Sequence, residues 1–354
     1  MSRFFSPKYE KLVPYTPGEQ PKVLNLTKLN TNECPFPPSE SALRYAETHT
    51  RPLNLYSDIE CTGLRKKLAE LYGVGPENLL LGNGSDEILN FAFMAFCDEK
   101  RGAAFPDISY GFYPVFAALN RIPYTEIPLR QDFAIAPEDY FALGKTIFIA
   151  NPNAPTGIAL TRAQVRTILD RNRDSVVVID EAYVDFGGES CVPLIAEYEN
   201  LLVAQTFSKS RSMAGARLGF AVGSAALIAD LNTIKFSTNP YNVNSMTQAV
   251  GMGILLEEET TRRNCRAIME NRAYTSEALR ELGFTVLPSA ANFLFARSDR
   301  IAGAALYEAL KARGVLIRHF NKERIADYNR ITVGTREQMD ILLKNIREIL
   351  EELP

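Results

Sequence analysis

The sequence predicts an α/β fold with a mostly parallel sheet flanked by helices. Short apolar runs typical of buried strands alternate with helical patterns between about residues 79 and 208. Several of these runs end abruptly in polar residues, which is common where the carboxyl ends of parallel strands border a ligand crevice. The chain has 354 residues, more than one core comfortably holds, so we expect a second, smaller α+β domain after the sheet.

Composition excludes several classes of function. A net charge of −3 provides no basic surface for nucleic acid, and no apolar run is long enough to span a membrane. Because the first residues also lack a signal-peptide core, we expect a cytoplasmic protein. Five scattered cysteines and only two histidines favour reduced thiols and no metal site, so acid–base chemistry must fall to Lys, Asp, Glu or Tyr.

The chain begins with a proline-rich stretch, residues 1 to about 27, which predicts an extended arm lying over a neighbouring surface. Helices are predicted over residues 39–47 and 62–72, on either side of a loop at 54–58 that contains Tyr56. The first strand of the sheet is predicted at 79–81, and a glycine turn follows it. Ser85 and Asp86 then begin a helix, where they could either border an anion site or simply cap the helix.

The next three strands also end in candidate site residues. After the strand at 103–105, Tyr110 could lay its ring on a flat ligand or pack in the core. The strand at 146–150 runs into Asn-Pro-Asn-Ala-Pro-Thr-Gly, a tight turn that directs amides such as Asn153 into a crevice. Asp180 follows the apolar strand at 175–179, and a buried carboxylate there needs a cationic partner or a ligand nitrogen unless it is a surface or capping residue.

The last strand of this series, 201–204, leads to Ser208 and Lys209, with Arg217 eight residues further on. Serine and arginine together suit a phosphate. A lysine that is partly desolvated and close to a second cation has its charged form disfavoured, so it can act as a nucleophile that forms a Schiff base. The alternative is a surface lysine at the end of a strand.

The candidate residues share one position in the predicted fold, at or just beyond the carboxyl ends of strands. They are Ser85, Tyr110, Asn153, Asp180, Tyr183 and Lys209. Together with Ser208 and Arg217, they offer phosphate donors, an aromatic face, an acid for a ring nitrogen, donors for a phenolic oxygen and an amine for an aldehyde. This combination fits pyridoxal 5'-phosphate.

Six ordered motifs then identify a family resemblance that covers nearly the whole chain. They are GNGSDE (82–87), SYGFY (109–113), NPNAPTG (151–157), DEAYVDF (180–186), TFSKSRSMAGARLG (206–219) and NRITVGTRE (329–337). The set resembles fold-type-I aminotransferases of the histidinol-phosphate aminotransferase family. The resemblance implies a homodimer with an arm at residues 1–38, a large cofactor-binding domain at 39–250 and a small α+β domain at 251–354. The large domain would contain a mostly parallel seven-stranded sheet flanked by helices.

The resemblance also implies roles for individual residues. Lys209 would bind the cofactor covalently and move the substrate proton, Asp180 would pair with the pyridine nitrogen, and Tyr183 would donate to the phenolic oxygen. Other cofactor contacts would come from Tyr110 on the ring face, from Gly84, Ser85, Asp86, Ser208 and Arg217 around the phosphate, and from Tyr56 of the second subunit. Substrate contacts would come from Tyr15, Asn32, Arg318 and Arg330, with Glu33 beside them.

One position departs from the family pattern, which has asparagine immediately before Pro-Thr-Gly where this chain has Ala154. Asn153 could reach the phenolic oxygen instead, or ring orientation could depend more on Tyr183.

The implied reaction is amino-group transfer between L-histidinol phosphate and 2-oxoglutarate in histidine biosynthesis. The alternatives are an aromatic amino-acid aminotransferase, a threonine-phosphate decarboxylase on the same fold, and a binding protein that kept the fold without catalysis.

Overall fold

The computed structural model describes residues 3–20 and 26–353. Residues 1–2 and 21–25 of the predicted arm, like residue 354, lie outside the described residues. The strands are β1 (Thr27–Lys28), β2 (Leu79–Gly82), β3 (Ala103–Pro106), β4 (Tyr124–Ile127), β5 (Thr146–Ala150), β6 (Val177–Asp180), β7 (Leu201–Thr206), β8 (Gly219–Gly223), β9 (Phe284–Val286), β10 (Phe293–Ser298), β11 (Val315–Leu316), β12 (Arg318–His319) and β13 (Asn329–Thr332).

The α-helices separate these strands along most of the chain. They are α1 (Glu40–His49), α2 (Thr62–Tyr72), α3 (Ser85–Phe96), α4 (Tyr113–Leu119), α5 (Arg162–Asp170), α6 (Ala225–Thr238), α7 (Ser245–Leu255), α8 (Glu258–Glu281), α9 (Gly303–Ala312) and α10 (Arg336–Glu351). Within the described residues, none of them has the length and apolar character needed to cross a bilayer.

The central sheet has seven strands in the order β2-β8-β7-β6-β5-β3-β4. β8 pairs antiparallel with both of its neighbours, and the other pairings are parallel. The predicted α/β class and the mostly parallel seven-stranded sheet are therefore confirmed.

Both faces of this sheet are buried, which explains why its central strands are apolar throughout. In β6, Val177 and Ile179 pack into the core that includes residues of α2 and α5. Val178, between them, points to the opposite face and joins the core formed with α3, α4 and α6. A parallel sheet covered on both faces needs continuous hydrophobic runs of this kind.

Several predicted boundaries shift, and two strands were not predicted. β4 was missed because Tyr124, Thr125 and Glu126 are exposed at the edge of the sheet and show no apolar pattern. β8 was missed because it begins and ends in glycine. In the small domain, β11 and β12 are separated by one residue but belong to different sheets, since β11 pairs with β1 whereas β12 pairs with β13.

A second, antiparallel sheet follows in the order β12-β13-β10-β9. Its core includes Phe293, Leu306 and Leu342, contributed by β10, α9 and α10. The same core also takes in Tyr183 from the large sheet and Leu29 from the segment after the arm. The division at residues 38 and 250 stays a prediction, and α7, which crosses the second boundary, packs on α1 and α2.

Candidate active site

The carboxyl ends of β2, β3, β5, β6 and β7 open onto two adjoining cavities. The inner cavity, of ≈ 90 Å³, is lined by Ser85, Asp86, Tyr110, Ala150, Ala154, Asp180, Ala182, Tyr183, Thr206, Ser208, Lys209 and Arg217. The outer cavity, of ≈ 530 Å³, shares Tyr110, Ala154, Tyr183 and Lys209 with it. Tyr15, Asn32, Arg318 and Arg330 line the outer cavity as well. The structure thus brings together most of the residues that the sequence predicts for the site.

Lys209 lies between the two cavities, just beyond the end of β7. Its Nζ donates to the carbonyl oxygen of Thr31 at 3.1 Å and lies 5.8 Å from the centre of the Tyr183 ring. Burial, and after it the charge of Arg330, lower the pKa of Lys209 from 10.5 to about 8. About a tenth of the amine is therefore neutral at pH 7 and about half at pH 8, and this neutral form can attack an aldehyde.

This lowered pKa predicts how the apoprotein captures pyridoxal phosphate. Only neutral Lys209 reacts, so the rate of capture should rise with pH up to about 8 and then level off. Stopped-flow absorbance across a pH series would measure it, with a free lysine derivative as the control. A rate that still rose steeply near the ordinary value of 10.5 would contradict the lowered pKa.

Asp180 is the last residue of β6 and is buried behind the inner cavity. Its Oδ1 accepts a hydrogen bond from the Ala182 backbone N–H, and its Oδ2 accepts one from the Tyr113 hydroxyl, both at 3.2 Å. Burial raises the pKa of Asp180 from 3.8 to about 7. A carboxylate at this depth is stabilised by a cationic partner, and a protonated ring nitrogen provides one.

Tyr113 was not among the residues predicted for the site. It is fully buried at the first position of α4, three residues after Tyr110. The sequence shows a second tyrosine in the Ser-Tyr-Gly-Phe-Tyr motif, but only the fold shows that this tyrosine contacts Asp180.

One end of the inner cavity is built for an anion. Arg217 Nη1 donates to Ser208 Oγ at 3.3 Å, and Arg217 Nη2 donates to Asp86 Oδ2 at 2.9 Å. The first turn of α3, at Ser85 and Asp86, adds backbone N–H groups that have no partner inside the helix. Gly84 has φ = 80°, and a Cβ there would lie 2.5 Å from Arg217 Nη2, so only glycine lets the arginine approach.

Two tyrosines border the cavities between the anion end and Lys209. The Tyr110 hydroxyl donates to Asp86 Oδ1 at 2.5 Å, which fixes its ring along the wall. The Tyr183 hydroxyl accepts a hydrogen bond from Asn32 Nδ2 at 3.0 Å. Burial raises the pKa of Tyr183, so its phenol keeps its proton.

The donor set fits pyridoxal phosphate. It offers one guanidinium, a serine hydroxyl and helix N–H groups for the phosphate, and a buried carboxylate for the ring nitrogen. A phenol is present for the ring oxygen, and an amine with a lowered pKa is present for the aldehyde. The glycine at Gly84 leaves room where a side chain would meet Arg217.

Asn153 does not line either cavity. Its Nδ2 donates to the Ile108 carbonyl and to Thr156 Oγ1, both at 3.0 Å, and its Oδ1 accepts from Ser109 Oγ at 2.8 Å. The amide thus ties its turn to the segment that follows β3, and the structure does not bring it to the predicted cofactor contact. Ala154, which lines both cavities, presents only a methyl group.

The outer cavity has a cationic wall. Arg330 donates from Nη2 to the Asn30 carbonyl at 3.0 Å, whereas its buried Nε has no hydrogen-bond partner within the described residues. Arg318 is held more loosely, by the carbonyl groups of Thr16 and Pro17 at 3.3 Å. Opposite the cavity mouth, the Tyr15 ring stacks on Phe112 with centroids 4.1 Å apart. This wall can bind an anionic group of a substrate.

Tyr56, like Asn153, lies outside these cavities. It is 78% exposed, and its ring stacks on Tyr241 with centroids 4.2 Å apart. In its own chain it therefore contacts none of the cofactor-binding candidates named above.

Comparisons with known proteins agree with this geometry. A family model described as aminotransferase class I and II matches residues 25–346. The chain is 45% identical over 353 residues to histidinol-phosphate aminotransferase of Brachyspira hyodysenteriae, covering 99% of this chain and 100% of the relative. It is 48% identical over 353 residues to histidinol-phosphate aminotransferase 1 of Bordetella parapertussis, covering 99% of each.

Solved structures share the fold. The crystal structure of histidinol-phosphate aminotransferase from Sinorhizobium meliloti in complex with pyridoxal-5'-phosphate superposes with a TM-score of 0.84 at 22% identity. The match covers 92% of this chain and 91% of that one.

Proposed function

Because the chain belongs to the class I and II aminotransferase family, we propose that it is a pyridoxal-phosphate-dependent aminotransferase that acts on L-histidinol phosphate. The acceptor is 2-oxoglutarate, and the products are imidazole acetol phosphate and L-glutamate, in histidine biosynthesis. One observation carries the proposal at the level of the site: Lys209, with its lowered pKa, and buried Asp180 line the same inner cavity. The cytoplasmic location stays a prediction from the sequence.

The mechanism follows from the positions of these side chains. Pyridoxal phosphate, when bound, supplies an aldehyde that accepts amino groups and a ring that withdraws electrons from the reacting carbon. Arg217, Ser208 and the first turn of α3 bind its phosphate, and Asp180 keeps a proton on the ring nitrogen. Lys209 Nζ, once neutral, takes the proton from the α carbon of the substrate.

The substrate's anionic group is held by the cationic wall of the outer cavity. Arg330 binds the phosphate of histidinol phosphate in one half of the reaction and a carboxylate of the oxo acid in the other, while Arg318 assists and Tyr15 contacts the substrate. The unpartnered Nε of Arg330 supports this role, because a buried guanidinium N–H without an acceptor is costly.

Arg330→Gln is expected to lower kcat/KM for both substrates by about 10²-fold, because the variant loses a charge-assisted contact in a buried site. Steady-state kinetics with each substrate varied in turn would measure it. Arg324→Gln is the matched control, since that guanidinium donates to the Leu129 carbonyl at 2.8 Å and does not line the cavities. Equal kinetics for Arg330→Gln and the wild type would contradict the assignment.

The homodimer, with Tyr56 completing the site of the second subunit, also belongs to this proposal. Tyr56 is exposed and lies outside the cavities of its own chain, and both observations support a contact with the second subunit. Mixing two weakly active variants, Lys209→Ala and Tyr56→Ala, under conditions that exchange subunits should restore about a quarter of wild-type activity, because mixed dimers contain one intact site. No gain on mixing would place Tyr56 outside the partner's site.

A single half-reaction tests the substrate. With 2-oxoglutarate withheld, the loaded enzyme should convert an amount of histidinol phosphate equal to its active sites, and adding 2-oxoglutarate should start continuous turnover. Equal efficiency with phenylalanine would identify a broad aromatic aminotransferase instead. Release of carbon dioxide from threonine phosphate would identify a decarboxylase.

A further inference from the structure

The short segment from Leu29 to Asn32 contacts three functional groups of the site at once. Arg330 Nη2 donates to the Asn30 carbonyl at 3.0 Å, and Lys209 Nζ donates to the Thr31 carbonyl at 3.1 Å. The Asn32 amide donates to the Tyr183 hydroxyl at 3.0 Å. The first two contacts use backbone oxygens, which any residue would provide. Asn32 is the residue of this segment that contacts a site residue through its side chain.

Asn32 is held in one orientation. It is 1% exposed, has φ = 58°, and its backbone N–H donates to Thr332 Oγ1 at 3.0 Å. Thr332 Oγ1 in turn donates to Asn32 Oδ1 at 3.1 Å, and Asn292 Nδ2 donates to the Asn32 carbonyl at 3.0 Å. Because Thr332 occupies the oxygen end of the amide, the nitrogen end must face Tyr183.

This orientation determines what Tyr183 can do. A phenol has one proton to donate, and here its oxygen already accepts from Asn32 Nδ2. Its proton is therefore free to point elsewhere, and Tyr183 lines both cavities. Neither Asn153 nor Ala154 supplies a donor to the cavity, since the Asn153 amide bonds to Ile108 and Ser109 and Ala154 has only a methyl group.

We propose that Asn32 is a positioning residue that directs the proton of the Tyr183 phenol into the cofactor cavity, and thereby replaces the amide that Ala154 does not provide. This inference rests on the proposed function, because the group that receives the proton is the ring oxygen of pyridoxal phosphate. The substrate contact predicted for Asn32 stays a prediction, and the proposal gives its amide a second role, on the basis of its contacts with Tyr183 and Thr332.

A double-mutant cycle between Asn32→Ala and Tyr183→Phe tests the proposal. The readouts are the dissociation constant of pyridoxal phosphate and the pH dependence of the absorption of the bound cofactor, neither of which requires turnover. Asn32→Ala should weaken cofactor binding by about 5-fold, the usual size of one hydrogen bond, and should shift the absorption titration. In the Tyr183→Phe background, Asn32→Ala should change neither quantity, because its only route to the cofactor has been removed.

Two further variants distinguish an effect on Tyr183 from a general folding defect. Thr332→Val keeps Asn32 but releases its amide, so it should shift the same titration in the same direction, again only when Tyr183 is present. Asn271→Ala is the matched control, because that buried amide donates to the Gly334 carbonyl, away from the cavities, and should leave the titration unchanged. Circular dichroism would establish that each variant is folded.

Equal effects of Asn32→Ala, or of Thr332→Val, with and without the Tyr183 hydroxyl would overturn the proposal. A wild-type protein that bound pyridoxal phosphate but did not convert histidinol phosphate would overturn the proposed substrate instead. In that case the double-mutant cycle could still be measured, because cofactor binding and absorption do not require turnover. The two failures are therefore distinguishable.

Discussion

Lys209→Ala is expected to abolish amino-group transfer, with kcat falling by about 10⁴-fold or more. The variant loses both the amine that captures the cofactor and the base that takes the substrate proton. No other lysine lines the inner cavity within the described residues, so none is positioned to replace it. Steady-state turnover of histidinol phosphate, with saturating pyridoxal phosphate, would measure the loss.

Lys235→Ala is the appropriate control for this variant. Lys235 is also buried and also has a lowered pKa, caused mainly by burial, but its Nζ donates to the Ile59 carbonyl outside both cavities. We expect it to retain turnover. Substantial turnover by Lys209→Ala would contradict the central role of Lys209.

Asp180→Asn should lower kcat by about 10³-fold and yet stabilise the apoprotein at pH 8. The loss of activity follows because an amide cannot hold the ring nitrogen in its protonated form. The stability effect follows from the pKa, which burial raises from 3.8 to about 7 in the folded state. Folding then favours protonated Asp180, so its contribution is fully present below pH 3.8 and is lost as the pH rises through about 7.

At pH 8 the folded apoprotein must therefore hold a buried carboxylate, and replacing it with asparagine removes that cost. Thermal unfolding of apoprotein should show a midpoint higher by a few degrees for the variant at pH 8 and nearly equal midpoints at pH 4. Glu181, whose pKa burial also raises to about 7, titrates equally in both proteins and cancels from the difference. A less stable variant at pH 8 would mean that Asp180 has a stabilising partner in the apoprotein.

Much of this fold is readable from the sequence because its signals are local. The strands β2, β3, β5 and β7 begin at the predicted residues, since each is a short apolar run bounded by polar residues or glycine. The helix at Arg162–Asp170 begins with a capping box of Thr161 and Gln164, a signal contained in four consecutive residues. The reversed direction of β8 could not be predicted, because antiparallel pairing depends on partners far away in the chain.

The site residues also fall into two groups, those with a local sequence signal and those that depend on contacts between distant residues. Asp180 and Lys209 were found because each interrupts or follows an apolar strand, a pattern visible within ten residues. The contact between Asn32 and Tyr183 joins residues 151 positions apart, and the hydrogen bond from Tyr113 to Asp180 joins residues 67 apart. Nothing in the local pattern of Asn153 shows that its amide bonds to Ile108 and Ser109, 45 and 44 positions earlier.

The most direct test of this account is to locate the cofactor on the chain. Borohydride reduction of the loaded protein makes the bond between a lysine and pyridoxal phosphate permanent, and mass spectrometry of a digest identifies the modified peptide. The account predicts one modified site, Lys209, and no modification when the Lys209→Ala variant is treated in the same way. Modification of a different lysine in the wild-type protein, or of none, would contradict it.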